Sequence, residues 1–304
     1  MMYIDNKQIE NLHISPLTCI EWVTQSFKYK YDSQLPAKVS VHPNGNDFIT
    51  TMPCLLPNQF HTFGVKVVSR INGRQPSLKS NLMLYDSLTG DMIAMLDADW
   101  ITSMRTGAVA ALAIKMFRNS NTKQYSFVGL GNTARATMRC LLEEFANESL
   151  KVKLLRYKNQ AEKFVDDFST YNNVSFEIVE NMEDLVGDAD VLVSCITDAS
   201  ALLVEDMSLF KPGILLVPIH TRGFQNCDLF FDKIFADDTA HVSGFKYFDQ
   251  FKCYGELGDV LTSQIKGRET NEERILSYNI GLGLHDVYFS YKIYNILYDK
   301  LAKE

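Results

Sequence analysis

In the N-terminal part of the chain the apolar positions change period often. Ile20 to Tyr31 has helical spacing, and turn-rich clusters at His42 to Asp47 and Ile71 to Ser77 separate short β-like runs such as Gly64 to Ser69. Leu82 to Tyr85 and Met92 to Leu96 flank Asp86 to Asp91, where Thr89-Gly90 marks a turn, and this predicts a hairpin. From Ile101 to Phe117 the spacing is helical again. Its small residues Gly107, Ala108, Ala110, Ala111 and Ala113 make a face suited to close packing on a sheet or a partner.

After a polar connector at Arg118 to Lys123 the pattern becomes strand, turn, helix, strand, repeated. Tyr125 to Val128, Lys151 to Leu155, Val174 to Val179, Val191 to Cys195 and Ile214 to Ile219 are strand candidates, and Thr133 to Phe145 and Ala161 to Phe168 have helical spacing. Continuous apolar strands alternating with helices predict an α/β fold, a Rossmann-type doubly wound parallel sheet buried on both faces. The tail from Asn271 to Tyr298 reads as helix-prone, interrupted by Gly281 and Gly283, with no strand of its own. A tail of this kind packs back on the other domain. The expected organisation is therefore a discontinuous α+β domain, residues 1–118 plus 285–304, and a Rossmann domain at 119–284.

Composition narrows the function classes. With 304 residues, 46% of them hydrophobic and 22% charged, the chain can bury one large core or two, which argues against disorder or a fibre. A net charge of −7 and no long run of Lys or Arg argue against a nucleic-acid partner. Met1 to Glu10 carries Asp5, Lys7 and Glu10 and no apolar stretch of signal-peptide length, and no apolar run of membrane-spanning length occurs anywhere, so a cytoplasmic protein with no membrane partner is expected. Its six cysteines are scattered without a Cys-x-x-Cys pair; they read as buried thiols of a reducing compartment, with no metal site.

Gly129-Leu130-Gly131-Asn132-Thr133-Ala134 fits Gly-x-Gly-x-x-Ala between a predicted strand and a predicted helix. The first glycine permits the tight turn, the second lets a pyrophosphate approach the backbone, and Ala134 keeps the helix close to the strand. The helix N-terminus offers unpaired N–H groups to the phosphates. In the following strand, the place where an acid would hold the ribose 2′-hydroxyl of NAD reads Leu155-Arg156-Tyr157-Lys158. Two cations and a ring for adenine favour NADP there, with NAD as the alternative.

Further segments resemble the ornithine cyclodeaminase and mu-crystallin family of dinucleotide-dependent enzymes. They are Gly64-Val65-Lys66-Val67-Val68, Leu84-Tyr85-Asp86 with Thr89-Gly90, and Ile101-Thr102-Ser103-Met104-Arg105-Thr106-Gly107-Ala108, followed by the glycine loop and Tyr278-Asn279-Ile280-Gly281-Leu282-Gly283-Leu284-His285-Asp286. The likeness covers nearly the whole chain. It implies a homodimer formed through the N-terminal domain and an active site between the two domains. It also implies chemistry at the nitrogen-bearing carbon of an amino or imino acid. Within that class the first expectation is an NADP-dependent oxidoreductase; the alternatives are an ornithine cyclodeaminase, a lyase that recycles its NAD, and a non-catalytic NADP-dependent binding protein.

Residue by residue, the resemblance assigns Lys66 and Arg105 to the substrate carboxylate, which suits an ammonium beside a bidentate guanidinium. It places Lys38 and Met52 in the substrate pocket, and Thr106, Asn132, Thr133 and Thr197 with the glycine loop in the cofactor site. Two departures bear on chemistry. Lys38 stands where the family usually has arginine, and Arg222 stands where cyclodeaminases carry their catalytic aspartate. A cation cannot act as a carboxylate base. His220, two residues before it, is the alternative proton carrier.

Overall fold

The computed structural model describes residues 1–301 apart from Thr197, Asp198, Ser200, Thr221 and Arg222. Thr197 and Arg222, both expected site residues, therefore lie outside the described residues. The chain divides into two compact units, Met1–Arg105 with Leu282–Glu304, and Thr106–Gly281.

The first unit opens with β1 (Met2–Ile4), α1 (Asn6–Glu10), α2 (Pro16–Lys28) and β2 (Val39–Val41). It continues through β3 (Phe48–Leu55), β4 (Thr62–Arg70), β5 (Leu78–Asp86) and β6 (Met92–Asp97) to α3 (Asp99–Phe117). The division falls inside α3, at 105/106, and at 281/282, rather than at the 118/119 and 284/285 read from sequence. A helix that starts in one unit and ends in the other leaves no polar linker to mark the boundary.

The second unit holds β7 (Gln124–Val128), α4 (Asn132–Glu144), β8 (Leu150–Leu155), α5 (Gln160–Asp167), β9 (Val174–Val179), α6 (Met182–Val186) and β10 (Val191–Ser194). It goes on with β11 (Leu215–Pro218), β12 (Lys233–Ala236), α7 (Thr239–Val242), β13 (Tyr254–Glu256), α8 (Leu257–Leu261) and β14 (Ile275–Tyr278). The C-terminal helix α9 (Gly283–Leu301) belongs to the first unit.

Local chemistry sets the helix starts. Ser15 Oγ accepts a hydrogen bond from Thr18 N at 3.1 Å, and Pro16 at the first helical position gives up no bond there. Asp5 and Gln8 form a reciprocal capping box on α1. Strands β1-β6-β5-β4-β3-β2 form one sheet, antiparallel except where β1 joins β6. Helix α9 packs on β3, β4 and β5, and α2 packs on α9. Gly64 permits that approach, because a Cβ there would stand 2.7 Å from Val287 Cγ2. Residues alternate between the faces of a strand, so Phe63, Val65 and Val67 lie on the face away from α9.

In the second unit eight parallel strands run β13-β12-β14-β11-β10-β7-β8-β9. Strands β10, β11, β12 and β14 are buried at every position, as expected of parallel strands covered on both faces, and only Ser194, Lys233 and Ser277 interrupt their apolar residues. The tail contradicts its sequence reading: Ile275 to Tyr278 is a strand, seated between β11 and β12, and only from Gly283 does a helix run. A four-residue apolar run has no resolvable period, and the partners that make it a strand lie far off in sequence. The strand order reverses between β7 and β10, which sets a crevice at their C-terminal ends.

Candidate active site

The glycine loop leaves the C-terminal end of β7 at that reversal. Gly129 has φ +79°, and a Cβ on it would lie 2.6 Å from the carbonyl carbon of Cys195 and from Ile196 N. Only glycine fits. Gly131 differs, since a Cβ there would meet nothing within 4 Å. It is the N-cap of α4 and offers no side chain to the free N–H groups of the first turn. Ala134 is fully buried, whereas Asn132 is exposed. Open space over Gly131, unpaired helix N–H groups and a tight turn at Gly129 fit a dinucleotide pyrophosphate.

Gly107 shows how α3 serves this loop. A Cβ on it would stand 2.5 Å from the backbone of Ala136 and Thr137, so the small-residue face of α3 lets α4 lie backbone to backbone against it. The half-buried Thr106 precedes it.

Arg156, Tyr157 and Lys158 follow β8 and are exposed. Arg156 Nε donates to Glu180 Oε1 at 2.6 Å, and its Nη1 pairs with Glu162. Lys158 adopts φ +51° and holds its ammonium 5.2 Å from the Tyr157 ring centroid. Sequence reading found the cations and missed both acids.

Ser194 Oγ, at the end of β10, and His220 Nε2, just past β11, are 2.9 Å apart. Asp228, the next acid after Arg222, is sealed in the core of the second unit, where Tyr278 Oη donates to Oδ1 at 2.5 Å. Burial pushes its carboxyl up to about 6. That pairing ties it to Tyr278 at the end of β14. Among the described residues no group of three or more His, Cys, Asp and Glu could hold a metal ion. Five cysteines are buried as expected, but Cys253 is exposed.

A second cluster lies in the first unit. The alternation of β4 buries Lys66 with Gly64 and Val68 on the α9 face. Its ammonium is 0% exposed and meets Asp286 Oδ2 at 2.7 Å. Arg105, in α3, donates from Nε to Asp286 Oδ1 at 2.9 Å. Met52 is buried opposite Lys66 on β3. Burial, then Arg105 and Lys38, push the Lys66 ammonium down to about 7, although Asp286 pulls the other way. For Asp286 burial alone would push the carboxyl up, but Arg105 and Lys66 outweigh it and hold it below its ordinary value. Asp286 thus stays ionised, and Lys66 is the member that exchanges a proton near neutrality. One carboxylate against two cations leaves a positive balance, and among the described residues Asp286 meets the guanidinium at Nε, so its two terminal nitrogens suit a second, planar anion.

The sequence matches the ornithine cyclodeaminase/mu-crystallin family over residues 2–301. It is 25% identical to N-((2S)-2-amino-2-carboxyethyl)-L-glutamate dehydrogenase of Staphylococcus aureus, over 82% of this chain and 78% of that one. Two of the solved structures that share its fold carry a dinucleotide. One is the Δ1-pyrroline-2-carboxylate reductase of Thermococcus litoralis in complex with NADH and L-proline, with a TM-score of 0.87, 24% identity and 97% of each chain covered. The other is an archaeal alanine dehydrogenase dimer with bound NAD, with a TM-score of 0.85 and 22% identity over 99% of this chain and 97% of that one. The glycine loop, the buried Lys66–Asp286–Arg105 cluster and a match running almost from end to end agree: the chain belongs to the ornithine cyclodeaminase/mu-crystallin family.

Proposed function

We propose that this protein is an NAD(P)-dependent oxidoreductase acting at the C–N bond beside the carboxylate of a small amino or imino acid. The observation that carries this reading is the buried cluster of Lys66, Asp286 and Arg105, whose positive balance suits a carboxylate. The glycine loop supplies the second half of the reading. Gly129, Gly131, Asn132, Thr133 and Ala134 would hold the pyrophosphate, and Arg156, Tyr157 and Lys158 the adenosine end. A bound dinucleotide supplies hydride chemistry.

The protein's own residues orient and protonate. Arg105 grips the substrate carboxylate through its terminal nitrogens, which fixes the adjacent carbon. Asp286 keeps the guanidinium from turning. Lys66 holds a proton at Nζ below about pH 7, where an imine nitrogen needs one. The decisive assay follows the near-ultraviolet absorbance of reduced dinucleotide with cyclic and open-chain 2-imino acids. Steady loss of absorbance dependent on substrate is the expected result. Ammonia release without net change in dinucleotide would assign the protein to the lyases instead.

Arg105→Lys keeps the charge and loses the planar fork. A charged hydrogen bond contributes about 1.5–3 kcal/mol, so kcat/KM is expected to fall by about tenfold to a hundredfold. Dinucleotide affinity, read by fluorescence, should stay unchanged; an equal loss in both would place Arg105 in the cofactor site.

We also propose that the chain is a homodimer through the first sheet. On the face away from α9, Pro53, Val65 and Met83 stand in register across β3, β4 and β5, as do Leu55 and Phe63. All are half-buried apolar side chains, and a cavity of about 410 Å³ opens beside Leu55, Phe63 and Tyr85. A contiguous apolar face of this kind calls for a partner. Val65→Lys should convert a dimer to a monomer in sedimentation; a wild-type monomer would remove the proposal.

A further inference from the structure

Cofactor choice turns on the corner after β8, where the two acids that sequence reading missed change the chemistry. Arg156 and Glu180 leave the C-terminal ends of neighbouring parallel strands, and the register Leu155↔Val179 places them side by side. Arg156 N also donates to Val179 O at 2.9 Å, which fixes the two strand ends together. Glu180 Oε1 accepts from Arg156 Nε at 2.6 Å. On the other side of the guanidinium is Glu162, in the first turn of α5, where the helix dipole favours an anion. Arg156 and Lys158 contribute two positive charges, and Glu162 and Glu180 two negative ones. The corner is neutral.

From this arrangement, and resting on the dinucleotide reading above, we infer that Glu180, with Glu162, sets the preference of this protein toward NAD(H) and against NADP(H). The acid that usually accepts the ribose 2′-hydroxyl comes from the end of the second strand; here the neighbouring strand supplies it. A carboxylate accepts a hydrogen bond from the 2′-hydroxyl of NAD. Against the 2′-phosphate of NADP it is a like charge, and the guanidinium that would compensate is already held on two of its nitrogens. Lys158 alone cannot offset both acids.

Titrating the full-length protein with NADH and with NADPH, followed by the fluorescence of the reduced nicotinamide, tests the assignment without turnover. The wild type should bind NADH about tenfold more tightly than NADPH, the value of one charged hydrogen bond. Glu180→Gln should move that ratio by about tenfold toward NADPH, and Glu162→Gln combined with Glu180→Gln should move it further. Glu180 is largely solvent-exposed and Glu162 about half so, and neither lies in the core, so melting temperatures should hold. A ratio unchanged in both variants, or a wild type that prefers NADPH, overturns the role of the acids while leaving the dinucleotide site in place. If neither dinucleotide binds, the cofactor reading itself falls and this inference falls with it.

Discussion

Gly131→Asp is expected to abolish dinucleotide binding in a protein that still folds. A Cβ at this position meets nothing within 4 Å, and its φ of −83° is open to any residue, so the fold has no reason to resist the change. The melting temperature should move by no more than a few degrees, as for a surface substitution. What fills the open space is a carboxylate, placed where a pyrophosphate would approach the first turn of α4. Like charges brought together at a binding site cost several kcal/mol, which is more than a hundredfold in affinity. Gly129→Ala supplies the contrast. That glycine has φ +79° and stands against the backbone of Cys195 and Ile196, so alanine there should destabilise the second unit and lower the melting temperature by many degrees. Measuring NADH affinity and thermal unfolding on both variants separates the two roles. Intact NADH binding by folded Gly131→Asp would take the pyrophosphate away from this loop.

Much of this arrangement could be read from local pattern. Tyr125 to Val128, Val191 to Cys195 and Ile214 to Ile219 were legible because parallel strands buried on both faces need no alternation, whereas β8 and β9, nearer the edge of the sheet, alternate buried and more exposed positions. The glycine loop was legible because its two glycines and Ala134 do their work within one turn of chain. What escaped depends on partners remote in sequence. Strand β14 is four residues long and is made a strand by β11 and β12. Glu180 acts on Arg156 across a strand boundary, so no spacing rule counted from the loop could reach it. Asp286 stood inside a recognisable segment near the C-terminus, yet nothing local joins it to Lys66 and Arg105. Only the docking of α9 on the first sheet brings the three together.

Asp286→Asn should therefore have the largest effect on stability of any single polar substitution in the first unit. It keeps the shape of the side chain and removes the one carboxylate that Lys66 and Arg105 share. Breaking a buried ion pair by taking away one partner costs about 3–5 kcal/mol, because the remaining charge has neither water nor a counter-ion. The loss should depend on pH, with a sign that follows from Lys66. Its pKa in the folded protein is pushed down to about 7 from an ordinary 10.5, so between those values the unfolded chain holds one more proton than the folded one. Across that window this group makes the wild type more stable as pH rises; the contribution is lost as pH falls through about 7. Without Asp286 nothing holds the proton on Lys66, and the window should extend to lower pH. Activity should carry the same signature: kcat/KM of the wild type, in the imine-reducing direction, falls as pH rises through about 7, and in Asp286→Asn that limb moves to lower pH. Thermal unfolding across this pH range, with the pH profile of kcat/KM, reads both quantities. If the variant loses stability while its kinetic limb stays at the wild-type pH, Lys66 is not the proton carrier and Asp286 serves the packing of α9 alone.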